Sequence, residues 1–211
     1  MTASTKATID LQRTELLDAA AFLFATKGFH ATGMRELARQ LNIKAGSLYY
    51  HISSKDQLLN EVCEIGLRSL ASNIDHSAAN NHGLPETIRS IVIGHTNLLN
   101  HYGSYLNCYQ NEYVHLTADV REKLRLELIT FHHKIDDVFK RAITNGETHP
   151  ELVVKNARLA LIAILHQLSR LGTEHPQTNM ETTAEGLSAI LIHGLARRSA
   201  ATDGTQPSPS A

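Results

Sequence analysis

Residues Thr32 to Leu58, TGMRELARQLNIKAGSLYYHISSKDQL, constrain the fold more tightly than any other stretch of the chain. Met34, Leu37, Ala38 and Leu41 stand at i, i+3, i+4 and i+7, which is one apolar face of a helix. A second helical segment, Ala45 to His51, is only about two turns long at 3.6 residues per turn. A helix that short is unstable alone and must be held by its neighbours. The break between the two, at Asn42-Ile43, leaves room for only a tight turn. Two helices joined in this way form a helix-turn-helix, whose second helix can enter the major groove of DNA.

The rest of the chain has to supply those neighbours, and its pattern is helical. Only 12 glycines and 5 prolines occur in 211 residues, and β-branched clusters bounded by turn signals are scarce, so we expect an all-α fold. A first helix is expected from about Ile9 to Lys27, with Leu16, Ala20, Leu23 and Phe24 on one face and Gly28 as its stop. Glu36 is placed to reach back to a free amide in the first turn of the second helix. Ser53 and Asp56 have capping-box spacing and open a fourth helix reaching about Asn73. The polar run SNIDHSAANNHG, Ser72 to Gly83, has no helical stripe and reads as a linker. Pro85 opens a helix to about His101, which Gly103 interrupts, and a short aromatic segment from Tyr105 to His115 follows. Thr117 caps a long helix to about Thr144, stopped by Asn145-Gly146. Pro150 opens the next, to Gly172, and the last runs from about Asn179 to Arg198. The expected division is a helix-turn-helix domain over 1–55, a larger helical domain over 56–198, and a small, polar, disordered tail over 199–211.

Ala157 to Leu165 is apolar nearly all round apart from Arg158. A chain this small buries such a helix most readily against a partner. The last two helices, about 151–171 and 180–197, are therefore expected to make half of a four-helix homodimer interface.

Several function classes are disfavoured. No apolar run reaches the roughly 18 residues of a membrane span, and the N-terminus lacks an apolar signal core, so the cytoplasm is the expected location. Cys63 and Cys108 form neither a metal-type nor a redox-type pair. Thirteen histidines invite a metal reading, but His132 and His133 are adjacent and diverge by about 100° on a helix, and no zincin or finger spacing occurs. No nucleophile elbow or Gly-rich loop supports an enzyme, and neither metal nor cofactor is expected. The net charge of −1 does not advertise a nucleic-acid binder, yet Met1 to Lys55 carries seven Lys and Arg against four Asp and Glu. Phosphate binding needs a basic face rather than a basic protein.

The run Leu-Leu-x-Ala-Ala-x-x-Leu-Phe at Leu16 to Phe24, then Lys27-Gly28-Phe29, Thr32, Leu37-Ala38, Ala45-Gly46-Ser47-Leu48-Tyr49-Tyr50-His51, Lys55 and Leu58 resembles the TetR family of one-component transcriptional regulators. The resemblance covers about Arg13 to Val62. It implies nine or so helices, a dimer on a double-stranded DNA operator, and a ligand pocket in the C-terminal body. It also places Tyr49, His51 and Lys55 at positions that contact phosphates, which fix register without reading sequence. Thr32 is either a further phosphate contact or a helix-start residue, and Gly46 allows either close approach to DNA or close helix packing. Lys44, Ala45, Ser47 and Tyr50 point outward and are the candidates for base edges. The chain departs from the family pattern at Gly33, Asn42, Lys44 and Ile52; asparagine still tolerates the left-handed turn conformation.

In the body, His95, Asn97, His101, Tyr102 and Tyr105, with Tyr109, Glu112, Tyr113 and His166, mix aromatic rings with polar tips. They are candidates for a small organic ligand site, or for a helical core with wet hydroxyls. The segments NEYVHL to HHKID and IAILHQLSRL look similar to TetR regulators that sense acyl-CoA thioesters, and Arg121, Lys123 and Arg125 could serve a CoA phosphate or form a solvated face. The expected function is a ligand-responsive repressor that binds a palindromic operator as a dimer. The alternative is a DNA-binding protein of the same fold that works through protein partners or DNA organisation, without an inducer.

Overall fold

Apolar residues at helical spacing organise nearly the whole chain, and the computed structural model turns them into helices packed on two apolar cores. It describes residues 3–79, 83–175 and 177–195, with the backbone alone for residues 3–12. The helices are α1 (Ala3–Lys27), α2 (Met34–Gln40), α3 (Ala45–His51), α4 (Lys55–Ala79), α5 (Leu84–Glu112), α6 (Ala118–Thr144), α7 (Val154–Glu174) and α8 (Met180–Leu195). One 3₁₀ turn, Tyr113–His115, links α5 to α6. All regular elements among the described residues are helical. None of these helices is long and apolar enough to cross a membrane.

The first core joins the three N-terminal helices to the body. Leu16, Ala20 and Phe24 of α1, Leu37 of α2 and Leu48 of α3 pack with Leu58, Leu59 and Val62 of α4 and with Tyr105 and Cys108 of α5. The short α3 is held by the burial of Leu48 and of Ile52 just beyond its end. The second core fills the body with Ile74, Ile88, Ile91, Leu106, Ile135, Phe139, Leu161, Leu168 and Leu191. Helices α4 and α5 contribute to both. At Gly66 the two helices come so close that a Cβ there would stand 2.7 Å from the Tyr105 carbonyl oxygen.

Several boundaries differ from the sequence expectation. The polar run from Ser72 is not a linker: α4 continues to Ala79, because Ile74 and Ser77 are buried on the body core and the Ser77 and Ser90 hydroxyls hydrogen-bond at 3.0 Å. Gly103 does not interrupt α5, since burial of Tyr105, Leu106 and Cys108 one turn later outweighs a glycine cost of about 1 kcal/mol. The break expected at Gly103 is thus missing, and eight α-helices rather than nine are seen among the described residues. Pro150 lies in the approach to α7 rather than at its start, with Val153 as the N-cap. The helix then runs past Gly172 to Glu174. The last helix ends at Leu195, and Ala196 to Arg198 and the 199–211 tail lie outside the described residues.

Glu36 reaches back to the Gly33 backbone amide, as expected, and also pairs with the Lys27 ammonium. Two other caps resolve differently. The cap of α4 sits one residue later than Ser53: the Gln57 amide donates to Ser54 Oγ at 3.0 Å, and the Ser53 amide donates to Gln57 Oε1 at 2.9 Å. Thr117 occupies the N-cap of α6 without a side-chain cap bond. Asn42 does adopt the left-handed conformation, at φ 54°, in the turn between α2 and α3.

Replacing Gly66 with alanine should therefore cost stability, because backbone and not a flexible side chain stands in the way. We expect a loss of about 1–3 kcal/mol in denaturant unfolding. An unchanged midpoint would show that α4 and α5 separate at no cost.

Candidate DNA-binding head and ligand cavity

The exposed surface of α3 is unusual for so short a helix. Tyr50 is 88% exposed and Tyr49 57% exposed, and Lys44, Gly46, Ser47 and His51 are exposed around them, while Ala45 packs partly on the core. The Tyr50 and His51 rings meet edge to face at 5.5 Å. An added Cβ at Gly46 would meet nothing within 4 Å, so close helix packing within the chain is not the reason for this glycine. Thus α3 presents two aromatic rings, a cation and a hydroxyl on one open surface.

Two residues expected at phosphates, Thr32 and Lys55, hydrogen-bond to backbone carbonyls of the chain. Thr32 is 2% exposed, and its hydroxyl lies 2.9 Å from the Gly28 carbonyl and 3.3 Å from that of Leu23, so it donates into the end of α1. The Lys55 ammonium donates to the carbonyls of Phe29 at 2.9 Å and Thr32 at 3.0 Å and lies 4.3 Å from the centre of the Phe29 ring. Both groups tie the α1–α2 loop in place. Arg13 similarly joins the carbonyl of His51 to the Glu61 carboxylate, fixing the end of α3 against α4.

The body candidates separate into four places. His95, Tyr109 and His166 line a cavity of about 220 Å³ together with Leu70, Gln110, Leu128, Phe131, His132, Ile162 and Leu165. Of these wall residues, Gln110, His132 and the apolar side chains are not among the ligand-site candidates of the sequence, because they come from four helices with no mutual sequence spacing. His101, Asn97 and Tyr102 instead face an open groove between α4 and α5, beside Arg68 and His76. Tyr105 is buried in the first core, where its hydroxyl donates to Asp18 Oδ1 at 2.6 Å. Burial, and then Asp18, keep that phenol protonated well above its usual range. Glu112 and Tyr113 lie at the junction with the head. There Glu112 Oε2 is 3.7 Å from His115 Nε2, and His115 Nδ1 is 3.1 Å from His30 Nε2.

The basic residues considered for a CoA phosphate have partners within the chain. Arg121 donates to the carbonyls of Val114 and Leu116, Lys123 pairs with Glu64, and Arg125 pairs with Glu122. The two thiols lie together between α4 and α5, where hydrogen bonding to Cys63 and burial push the Cys108 thiol up. Among the described residues, no group of three or more His, Cys, Asp or Glu is arranged to hold a metal.

His95 is the central polar group of the cavity wall. It is fully buried, with Nε2 3.0 Å from Ser169 Oγ, whose own hydroxyl donates to the Leu165 carbonyl at 3.2 Å. Burial holds the ring down to about 4, opposed by the Leu165 carbonyl and assisted by His166. His132, on the same wall, is also held down, by burial and then by the Arg158 guanidinium. Burial likewise pushes the Tyr109 phenol up to about 12, so these groups are neutral near pH 7.

The His95 shift has a consequence for stability. The unfolded ring takes a proton near pH 6.5 and the folded one only near pH 4, so its contribution is complete above 6.5 and is lost as pH falls through that window. At 1.36 kcal/mol per pH unit the loss should approach about 3 kcal/mol. The difference between wild type and His95→Phe in denaturant unfolding across this range measures it. Parallel pH profiles for the two proteins would contradict it.

The sequence and fold have clear relatives. Residues 16–62 match the family model for bacterial regulatory proteins of the tetR family. The chain is 29% identical over 186 residues to the HTH-type transcriptional repressor KstR2 of Rhodococcus jostii RHA1, covering 88% of this chain and 91% of that protein. The fold matches the structure of the ketosteroid transcriptional regulator KstR2 of Mycobacterium tuberculosis with a TM-score of 0.79 at 22% identity, over 88% of this chain and 95% of the other. It matches AibR, solved in complex with isovaleryl coenzyme A and operator DNA, with a TM-score of 0.74 at 18% identity, over 84% and 96% of the two chains. The relatives so described are transcriptional regulators rather than enzymes. With an open, aromatic α3 set on a helical body, the chain carries N-terminal helices that match the tetR family model over residues 16–62, and along most of its length it is similar to transcriptional repressors with that type of head.

Proposed function

We propose that the chain is a ligand-responsive repressor that binds a palindromic operator as a homodimer and is released by a small organic effector in the body cavity. One observation carries the reading: α5 both lines the cavity and holds the head. His95, Tyr109 and Gln110 stand on the cavity wall, while Tyr105 of the same helix donates to Asp18 of α1 and Glu112 lies beside the His115–His30 contact. A molecule seated against Tyr109 presses on the helix that positions α1. Induction then requires the effector to favour the head spacing that does not match the operator half-sites.

On DNA, Lys44, Ser47 and Tyr50 take the base-edge roles and Tyr49 and His51 the phosphate roles, with Gly46 admitting the backbone. Ala45 is a weaker base-edge candidate because it packs partly on the core. Thr32 and Lys55 act indirectly, by holding the α1–α2 loop. The dimer uses α7 and α8, where Leu159 is 51% and Ile190 70% exposed and where Gly186 and Gly194 leave room for an approaching helix. The effector class includes acyl-CoA thioesters, suggested by the isovaleryl-CoA bound to AibR. A cavity of about 220 Å³ takes only the acyl or ring end of such a molecule.

Gel-shift and fluorescence titration with the chain's own upstream DNA test the reading. Tyr49→Ala should weaken operator and random DNA alike, whereas Lys44→Ala should cost about 1–3 kcal/mol at the operator and relax base preference at one position. Uniform loss for Lys44→Ala would remove it from the base contacts. Ile190→Glu should yield a monomer by light scattering with intact helical content and little operator affinity. A persistent dimer would move the interface elsewhere. Operator binding unmoved by acyl-CoA thioesters and by small apolar alcohols would remove induction from the reading.

A further inference from the structure

A buried imidazole nitrogen with no partner is costly, and its position states what would satisfy it. His95 Nδ1 is such an atom: fully buried in a residue of the cavity wall, it has no hydrogen-bond partner in the chain. Among the described residues, His95 is the one cavity-lining residue that holds a buried polar side-chain atom without a partner. The tautomer follows from its neighbours. Ser169 gives its hydroxyl proton to the Leu165 carbonyl, so Ser169 Oγ is left to accept from His95 Nε2–H. A neutral ring protonated at Nε2 carries a bare lone pair at Nδ1.

We propose that His95 Nδ1 is a specificity-determining acceptor, and that the effector end seated in the cavity is an apolar ring or branched chain bearing one hydroxyl or N–H donor. The proposal rests on the reading of this cavity as the effector site and goes beyond it by naming the chemistry of the buried end. The remaining wall is dominated by Leu70, Leu128, Phe131, Ile162 and Leu165, which suits a hydrocarbon body. Size agrees: an apolar cavity of about 150 Å³ accepts benzene, so about 220 Å³ accepts two fused rings. A carboxylate or phosphate is the wrong occupant for this atom, since it would bring a second acceptor and a buried charge to a bare nitrogen.

Three probes of one shape separate the possibilities: 2-naphthol, with a donor; 2-methoxynaphthalene, with an acceptor alone; and naphthalene, with neither. Binding to the full-length dimer is read by calorimetry and by thermal shift. The naphthol should bind about tenfold or more tightly than both others, the value of one hydrogen bond to an otherwise unsatisfied buried acceptor. Its binding should also move the ¹⁵N resonance of His95 Nδ1 away from the unprotonated imidazole range, a signal that overall stabilisation would not produce. His95→Phe should abolish the preference for naphthol. Because that ring swap perturbs a buried site, Ser169→Ala provides a second variant: with Nε2 freed to change tautomer, the preference should shrink while naphthalene still binds. Equal binding of the three probes overturns the donor requirement and leaves the cavity reading standing. Failure of all three to bind at saturating concentration overturns the cavity as a ring-sized effector site, and the proposal with it. A preference for the methoxy compound would mean that Nδ1 carries the proton, and would likewise overturn it.

Discussion

Helices α4 and α5 cross with almost nothing between them, and the rest of the molecule depends on that crossing. A Cβ at Gly66 would stand 2.7 Å from the Tyr105 carbonyl oxygen and 3.2 Å from Tyr109 Cβ, so the two backbones approach as closely as a missing side chain allows. Each helix then runs through both apolar cores, Leu59 and Val62 of α4 and Cys108 of α5 in the first, Ile74 and Ile91 in the second. The head is therefore not a bead on a linker. It shares a core with α4 and α5, two long helices of the body.

This arrangement explains where polar groups are committed. The α1–α2 loop has few buried apolar side chains of its own, and its carbonyls need donors. Thr32 and Lys55 supply them, with Phe29 packed under the Lys55 ammonium and against the His30 and His115 rings. Asp18 and Tyr105 add a further tie between α1 and α5. Displacement of α5 at Tyr109 would thus act on the same rigid set of contacts that orients α3. Packed cores tend to switch between discrete arrangements rather than deform smoothly, which makes such a helix a suitable lever.

The sequence was legible where periodicity and turn chemistry are local. Met34, Leu37 and Ala38 mark α2, Asn42 the turn and Leu48 the anchor of α3, and each behaves in the fold as its neighbours in sequence suggest. It misled where a polar or breaking residue is overruled from a distance. Ser77 looks like linker until Ser90 faces it, and Gly103 looks like a stop until Tyr105, Leu106 and Cys108 are buried beyond it. The aromatic and histidine cluster of the body was visible as composition but not as a site. Its members turn to four different surroundings: His95, Tyr109 and His166 share the cavity wall, while Asn97, His101 and Tyr102 face the open groove.

What the sequence by itself determined is the helical content, the head with its outward tyrosines, and the match of that head to the tetR family model. These follow from spacing within a few turns, which backbone geometry converts directly into faces. Which polar groups remain free was decided only by tertiary structure. Thr32 and Lys55 face inward to carbonyls that the fold brings near, and His95 meets Ser169 across 74 residues of sequence. Hydrogen bonds of that kind depend on how whole helices pack, and no local pattern encodes the partner. The same packing leaves Nδ1 of His95 without one.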